Sequence, residues 1–281
     1  MLRHGYLRSP IPWCEVDKPG FKGIWMILNE DETPDIVVYY CHGGGFSMGS
    51  SYFYMEFLLA WVTLLKEAGY KNPALLALEY TLVPEATYPT QLQQTLAGYE
   101  YAEAKVADSS RICVGGDSAG ATLILSLLLL MSDHPDYENW LPGLAVMISP
   151  WVTIVSPKNR DTASDYLNAD SLHLYGSQYA GKRGSLDDPL VSPGKCKDTT
   201  WWRRATPSQG WYFLFGSEEV FGPETRELIR MLKDGGVQVE EHEEPGWIHA
   251  WPVVKLFLGD GQRARQSGLR SIARVTRQRL V

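Results

Sequence analysis

The chain has 281 residues, 44% of them apolar and 21% charged, with a net charge of −7. That size and apolar fraction suit one large domain, or one domain with a small appendage. The acidic balance argues against a nucleic-acid-binding protein. No opening stretch has the pattern of a signal peptide and no apolar run is long enough to span a bilayer, so a cytoplasmic protein is expected. Cys14, Cys41, Cys113 and Cys196 form no C-x-x-C pair. That spacing suggests neither zinc binding nor a disulfide framework, and Cys41 and Cys113 read as buried thiols in strands.

Residues 1–22, with Tyr6 and Trp13, show no clear periodicity and read as an irregular or weakly helical arm lying over the rest. Residues 23–28 suit an edge strand. Ile36-Val37-Val38-Tyr39-Tyr40-Cys41 is a β-branched and aromatic run, a good central strand, and it flows directly into His42-Gly43-Gly44-Gly45-Phe46. A helix is predicted over 53–68, with Phe53, Phe57, Leu58, Trp61, Leu64 and Leu65 on one face. A strand at 74–78 and a helix at 88–105 follow. Arg111-Ile112-Cys113-Val114 reads as a buried strand, Gly115-Gly116-Asp117-Ser118-Ala119-Gly120 as a sharp turn, and 121–130 as a core helix. A strand at 144–148 ends at Ser149-Pro150-Trp151. This alternation predicts parallel βαβ units in a doubly wound α/β sheet. Residues 152–209 break the rhythm and read as a cap excursion with a short helix near 171–179. The order resumes with a strand at 211–215, a helix at 223–233, a strand at 237–242, a loop at 244–251 and a closing helix from 252. The predicted α/β core is therefore 23–151 plus 210–281. The arginine-rich tail past Asp260 reads as a solvated helix face, with a membrane or nucleic-acid patch as the lesser alternative.

In such a sheet, ligands sit beyond the carboxyl ends of the parallel strands. The strand–turn–helix context around Gly116-Asp117-Ser118-Ala119-Gly120 is that of a nucleophile elbow, with Ser118 at its apex. Serine needs a base within hydrogen-bond reach, and His249 in the loop after the last strand can supply it. A carboxylate from Glu218 or Glu219, after the 211–215 strand, would orient the imidazole. Serine, acid and histidine then follow the chain order of an α/β-hydrolase triad. Gly43, Gly44 and Gly45 lie directly after a buried strand, where free amides and close backbone approach are useful. Together with the amide of Ala119 they can receive an oxyanion. Asp117 reads as a structural hydrogen-bonding group, His42 as a brace for the glycine loop, and His242 as solvated. His4, His134 and His173 have no visible partner, and no cluster suggests a metal.

His42-Gly43-Gly44-Gly45-Phe46, Tyr80-Thr81-Leu82-Val83-Pro84-Glu85, Gly116-Asp117-Ser118-Ala119-Gly120 and Ile248-His249 together resemble the hormone-sensitive-lipase-like family of α/β-hydrolases. The similarity covers roughly residues 22–258. It implies an eight-stranded sheet, a helical cap, and a carboxylesterase activity without cofactor or metal on a small-molecule ester. It makes Ser118 the nucleophile, His249 the base, and Ala119 with two glycines, most simply Gly44 and Gly45, the oxyanion donors. The family's acid is usually an aspartate. Counting back from Gly235-Gly236-Val237 puts Glu219 in that position, with Glu218 as the alternative; Asp187 and Asp188 lie in the excursion. The N-terminus is shorter than is usual in the family, which implies a reduced cap. Phe46, Tyr52, Phe53, Trp151, Trp201 and Trp202 are candidates for an aromatic pocket. The stretch from His42 to Phe57 looks most like the branch with fungal steryl acetyl hydrolases and hydrolases of secondary metabolism. Hydrolysis of small to medium hydrophobic esters is the expected activity. Acyl transfer or lactonisation on the same site, and a non-catalytic ligand receptor, are the alternatives. A homodimer is the only assembly suggested.

Overall fold

The computed structural model describes residues 11–137, 139–258 and 261–280. Eight strands form the middle layer: β1 (Trp13–Lys18), β2 (Phe21–Ile27), β3 (Ile36–Cys41), β4 (Pro73–Leu78), β5 (Ile112–Asp117), β6 (Leu144–Ile148), β7 (Trp211–Gly216) and β8 (Val239–Glu244). They lie in the order β1-β2-β4-β3-β5-β6-β7-β8. β2 runs antiparallel to both of its neighbours, and every pairing from β4 to β8 is parallel. The helices are α1 (Met55–Glu67), α2 (Thr90–Val106), α3 (Ala119–Ser132), α4 (Ala169–Ala180), α5 (Thr199–Arg204), α6 (Gly222–Asp234), α7 (Trp251–Leu258), α8 (Gln262–Arg265) and α9 (Ser267–Arg279).

The central strand β3 shows how one segment serves two cores. All six of its residues are buried, and successive side chains leave opposite faces of a strand. Val37, Tyr39 and Cys41 join a core that includes residues of α2, α3 and α6. Ile36, Val38 and Tyr40 join a second core with residues of α1, α7 and α9. A strand covered on both faces has no polar side to alternate, which is why it reads as one continuous apolar run. Helix α3 is apolar all round for the same reason: nearly every residue in it is buried. Cys41 and Cys113 are buried free thiols.

Three local expectations change. Residues 13–18 form β1 instead of an irregular arm, and they pair with β2 across a turn in which Gly20 takes φ +94°. Only Val16 of β1 is fully buried, so the strand carries no periodic signal and exists through its pairing. β2 is consequently an interior strand and β1 the edge; residues 1–10 of the expected arm lie outside the described residues. The expected closing helix is divided into α7, α8 and α9, the last two separated at Gln266. Phe53 precedes α1 and is 65% exposed, so it does not join the buried face of that helix.

At the other edge, β8 carries Glu240, Glu241, Glu243 and Glu244. Charged edges discourage pairing with a foreign strand. These acids meet cations of flanking helices: Arg274 and Arg279 at Glu240, Lys233 at Glu241, Arg226 at Glu243 and Lys255 at Glu244. His242 hydrogen-bonds to Glu244 and packs near the Trp251 ring, so it has partners although its side chain is partly exposed. Helix α9 buries Leu269, Ile272, Ala273 and Val275. Of its arginines, Arg270 pairs with Glu67 and Arg277 lies over Tyr70. Among the described residues, no helix is long and apolar enough to cross a membrane.

Candidate active site

The carboxyl ends of β3, β5 and β7, with the loop after β8, bring the sequence-predicted residues to one side of the sheet. Ser118 lies between β5 and α3 with φ +52° and ψ −120°, a backbone region that L-residues occupy only when their surroundings hold them there. Those surroundings are visible. The Ser118 amide donates to the Ile148 carbonyl at 3.0 Å, and its own carbonyl accepts from Trp151 at 3.2 Å. Small neighbours are obligatory. A Cβ at Gly120 would stand 2.0 Å from the Cys41 carbonyl oxygen, and one at Gly116 would stand 2.6 Å from the backbone of Gly120. The elbow sequence is therefore dictated by how closely α3 approaches β3 and β5.

His249 is buried and lines the same cavity as Ser118. Behind it, Glu219 Oε2 lies 3.9 Å from His249 Nδ1, with both side chains almost fully enclosed. Among the described residues, neither His249 Nδ1 nor Glu219 Oε1 has a hydrogen-bond partner, and a small rotation that closes the 3.9 Å gap to Oε2 gives the imidazole N–H its acceptor. Glu219 Oε2 already accepts from the Ser149 hydroxyl at 2.6 Å and from the Gly216 amide at 3.1 Å. Burial pushes the Glu219 carboxyl up and the His249 imidazole down, which keeps the histidine neutral and able to accept a proton. Glu218 is only half buried, and its carboxylate accepts from the Ser217 hydroxyl at 3.0 Å.

The glycine loop is held from below by Asp117. Its carboxylate accepts from the Tyr40 hydroxyl at 2.6 Å, the Tyr54 hydroxyl at 2.7 Å and the Gly43 amide at 2.8 Å. The Gly43 amide is thus already committed, and it is not one of the free donors. No backbone acceptor takes the Gly44 or Gly45 amides among the described residues. The Ala119 amide opens α3, where no intrahelical acceptor exists. Gly44 has φ +116°, and a Cβ there would meet the Met48 carbonyl oxygen at 2.0 Å. His42 braces the loop as expected: its Nδ1 is 2.7 Å from the Gly43 carbonyl and its ring stacks on Tyr80 at 4.4 Å. Replacing Asp117 by alanine strands two buried hydroxyls and one amide. A loss of about 3 kcal/mol is expected, read as a drop of roughly 5–10 °C in thermal unfolding midpoint.

Above these groups is a cavity of about 360 Å³, lined by Met48, Phe53, Tyr54, Leu172, Val253 and Phe257 among others. Of the six aromatics proposed for a pocket, only Phe53 lines it. Phe46, Trp151 and Trp202 are core side chains, with Phe46 stacked on Tyr179 and Trp151 on Phe221. Trp201 donates to the Leu129 carbonyl, and Tyr52 hydrogen-bonds to Glu15. Sequence reading also missed Asp165. Its carboxylate accepts from the Val220 amide at 2.9 Å and the His249 amide at 3.4 Å, tying both loops to residues 152–209. No local pattern announces such a residue, because its partners lie 55 and 84 positions away.

Residues 38–253 match the family described as having the alpha/beta hydrolase fold. The chain is 28% identical over 229 residues to an acetyl-hydrolase of Streptomyces hygroscopicus, covering 80% of this chain and 71% of that one. It is 24% identical over 218 residues to steryl acetyl hydrolase 1 of Saccharomyces cerevisiae, covering 73% of this chain but only half of the relative. A hormone-sensitive-lipase homologue from a metagenome library superposes with a TM-score of 0.77 at 23% identity, over 100% of this chain and 90% of that structure. The chain belongs to the α/β-hydrolase fold family.

Proposed function

We propose that this protein is a serine esterase that cleaves short-chain acyl esters of hydrophobic alcohols through an acyl-enzyme. The observation that supports this most is that Ser118 and His249 line one apolar cavity, with Glu219 buried behind the histidine. Ser118 is held at a strained elbow, and Glu219 lies 3.9 Å from the imidazole.

In this reading His249 takes the Ser118 hydroxyl proton as the oxygen attacks the ester carbonyl. The new oxyanion meets the amides of Gly44, Gly45 and Ala119, each worth roughly 3 kcal/mol of barrier. Collapse of the tetrahedral intermediate breaks the ester C–O bond, and the imidazolium returns its proton to the departing alcohol. Water then repeats the sequence on the acyl-enzyme. Glu219 fixes the imidazole tautomer and balances its transient positive charge. The mostly apolar walls suit a hydrophobic substrate. The acetyl-hydrolase relatives support a short acyl group.

The test is a fluorophosphonate probe combined with a panel of p-nitrophenyl esters graded in acyl length. Labelling at Ser118 and the highest kcat/KM on acetate or butyrate are expected. An unlabelled protein with no turnover on any member of the panel overturns the proposal.

A further inference from the structure

Ser149 is the first residue after β6, and neither the nucleophile elbow nor the glycine loop contains it. Its side chain is fully buried, and its backbone has φ +43°, one of only five non-glycine residues at positive φ among those described. Such a conformation costs free energy and persists only where the surroundings fix it. Two interactions do so here. The Ser149 amide donates to the Leu214 carbonyl at 2.7 Å, and its hydroxyl oxygen accepts from the Ala250 amide at 2.9 Å. Ala250, also at positive φ (+53°), directly follows His249.

With the Ala250 N–H directed at the oxygen, the hydroxyl proton is free to point elsewhere, and Glu219 Oε2 lies 2.6 Å away. One hydroxyl thus joins the loop carrying the base to the carboxylate carrying the acid, with donor and acceptor roles fixed at both ends. Resting on the triad reading above, we infer that Ser149 is a positioning residue for catalysis. It orients the Glu219 carboxylate toward His249, stabilises its ionised form, and sets the spacing between the two loops.

The charged and titratable groups facing Glu219 come from three directions. Asp165 and Tyr166 approach from the 152–209 segment, Arg226 from α6 and His249 from the loop after β8. The neutral donors are Ser149 and the Gly216 amide. Removing Ser149's hydroxyl leaves one neutral donor on a carboxylate enclosed by protein. The carboxylate then holds a proton, and any imidazolium beside it, more tightly, so both effects move the acid limb of the rate profile to higher pH.

The experiment compares S149A and S149G with wild type on p-nitrophenyl butyrate, alone and in an E219Q background. S149G removes the hydroxyl while relieving the positive φ, so it carries the test should S149A not fold. A kcat lower by about tenfold to a hundredfold, as befits a lost hydrogen bond to a charged group, is expected with KM nearly unchanged. The acid limb should move up in pH, and the substitution should cost much less in the E219Q background than alone. A purely structural serine would cost the same in both backgrounds. That additivity, or a kcat within twofold of wild type in both variants, overturns the inference. If instead E219Q alone is fully active, the triad reading fails and not merely the role of Ser149.

Discussion

Ser118→Ala is expected to lower kcat on p-nitrophenyl butyrate on the order of 10⁵–10⁶-fold while leaving the fold intact. The magnitude follows from removing the nucleophile of a unit whose members act together, where loss of the serine costs nearly as much as loss of the whole set. The residual rate should come from the glycine loop and the Ala119 amide, which still receive an oxyanion formed by direct water attack. The fold should survive because the elbow is held through backbone atoms. The Ser118 amide and carbonyl keep their bonds to Ile148 and Trp151 whatever the side chain. A thermal midpoint within a few degrees of wild type, with fluorophosphonate labelling abolished, is the expected pairing. Activity within tenfold of wild type would remove Ser118 from the mechanism, since no positioning role alone accounts for the serine's place at the apex of the elbow.

The elements legible in the sequence were those whose shape comes from their own residues. β3, β5 and β6 are buried on both faces, so their apolar runs stand out, and β6 begins and ends where expected. The elbow and glycine loop were legible because steric exclusion writes directly into composition. Where a Cβ would meet backbone at 2.0 Å, as at Gly44 and Gly120, only glycine fits. What could not be read depends on partners outside the segment itself. β1 is a strand by virtue of β2, and Asp165 acts on amides in two other loops. The pocket aromatics show the same limit. Phe46 follows the glycine loop and Trp151 follows β6, yet both side chains lie in the core, while Phe257 near the far end of α7 lines the cavity. The resemblance already favoured Gly44 and Gly45 as donors, and the position of Asp117 supplies the physical reason, because it takes up the Gly43 amide.

Glu219→Gln carries the second largest expected effect, and it decides between two adjacent glutamates. A glutamine can keep its carbonyl oxygen on the Ser149 hydroxyl and the Gly216 amide, the two donors that Glu219 Oε2 accepts now. Its amino group then falls at the site of Oε1, which has no hydrogen-bond partner among the described residues. A rotation that turns this N–H toward His249 Nδ1 selects the tautomer that carries its proton on Nε2, and that tautomer cannot accept a proton from Ser118. The variant also removes the negative charge that balances the imidazolium. A drop in kcat of roughly 10³–10⁴ with KM little changed is expected. Without the carboxylate the imidazolium is less stable, so the acid limb of the remaining activity should shift to lower pH. Glu218→Gln should stay within about threefold of wild type, because that side chain is only partly buried and bonds to Ser217 instead of the histidine. The reverse pattern, with E218Q crippled and E219Q active, would move the acid one residue back along the chain. It would also require the loop after β7 to turn over, against the Gly216 and Ser149 hydrogen bonds that now hold Glu219 in place.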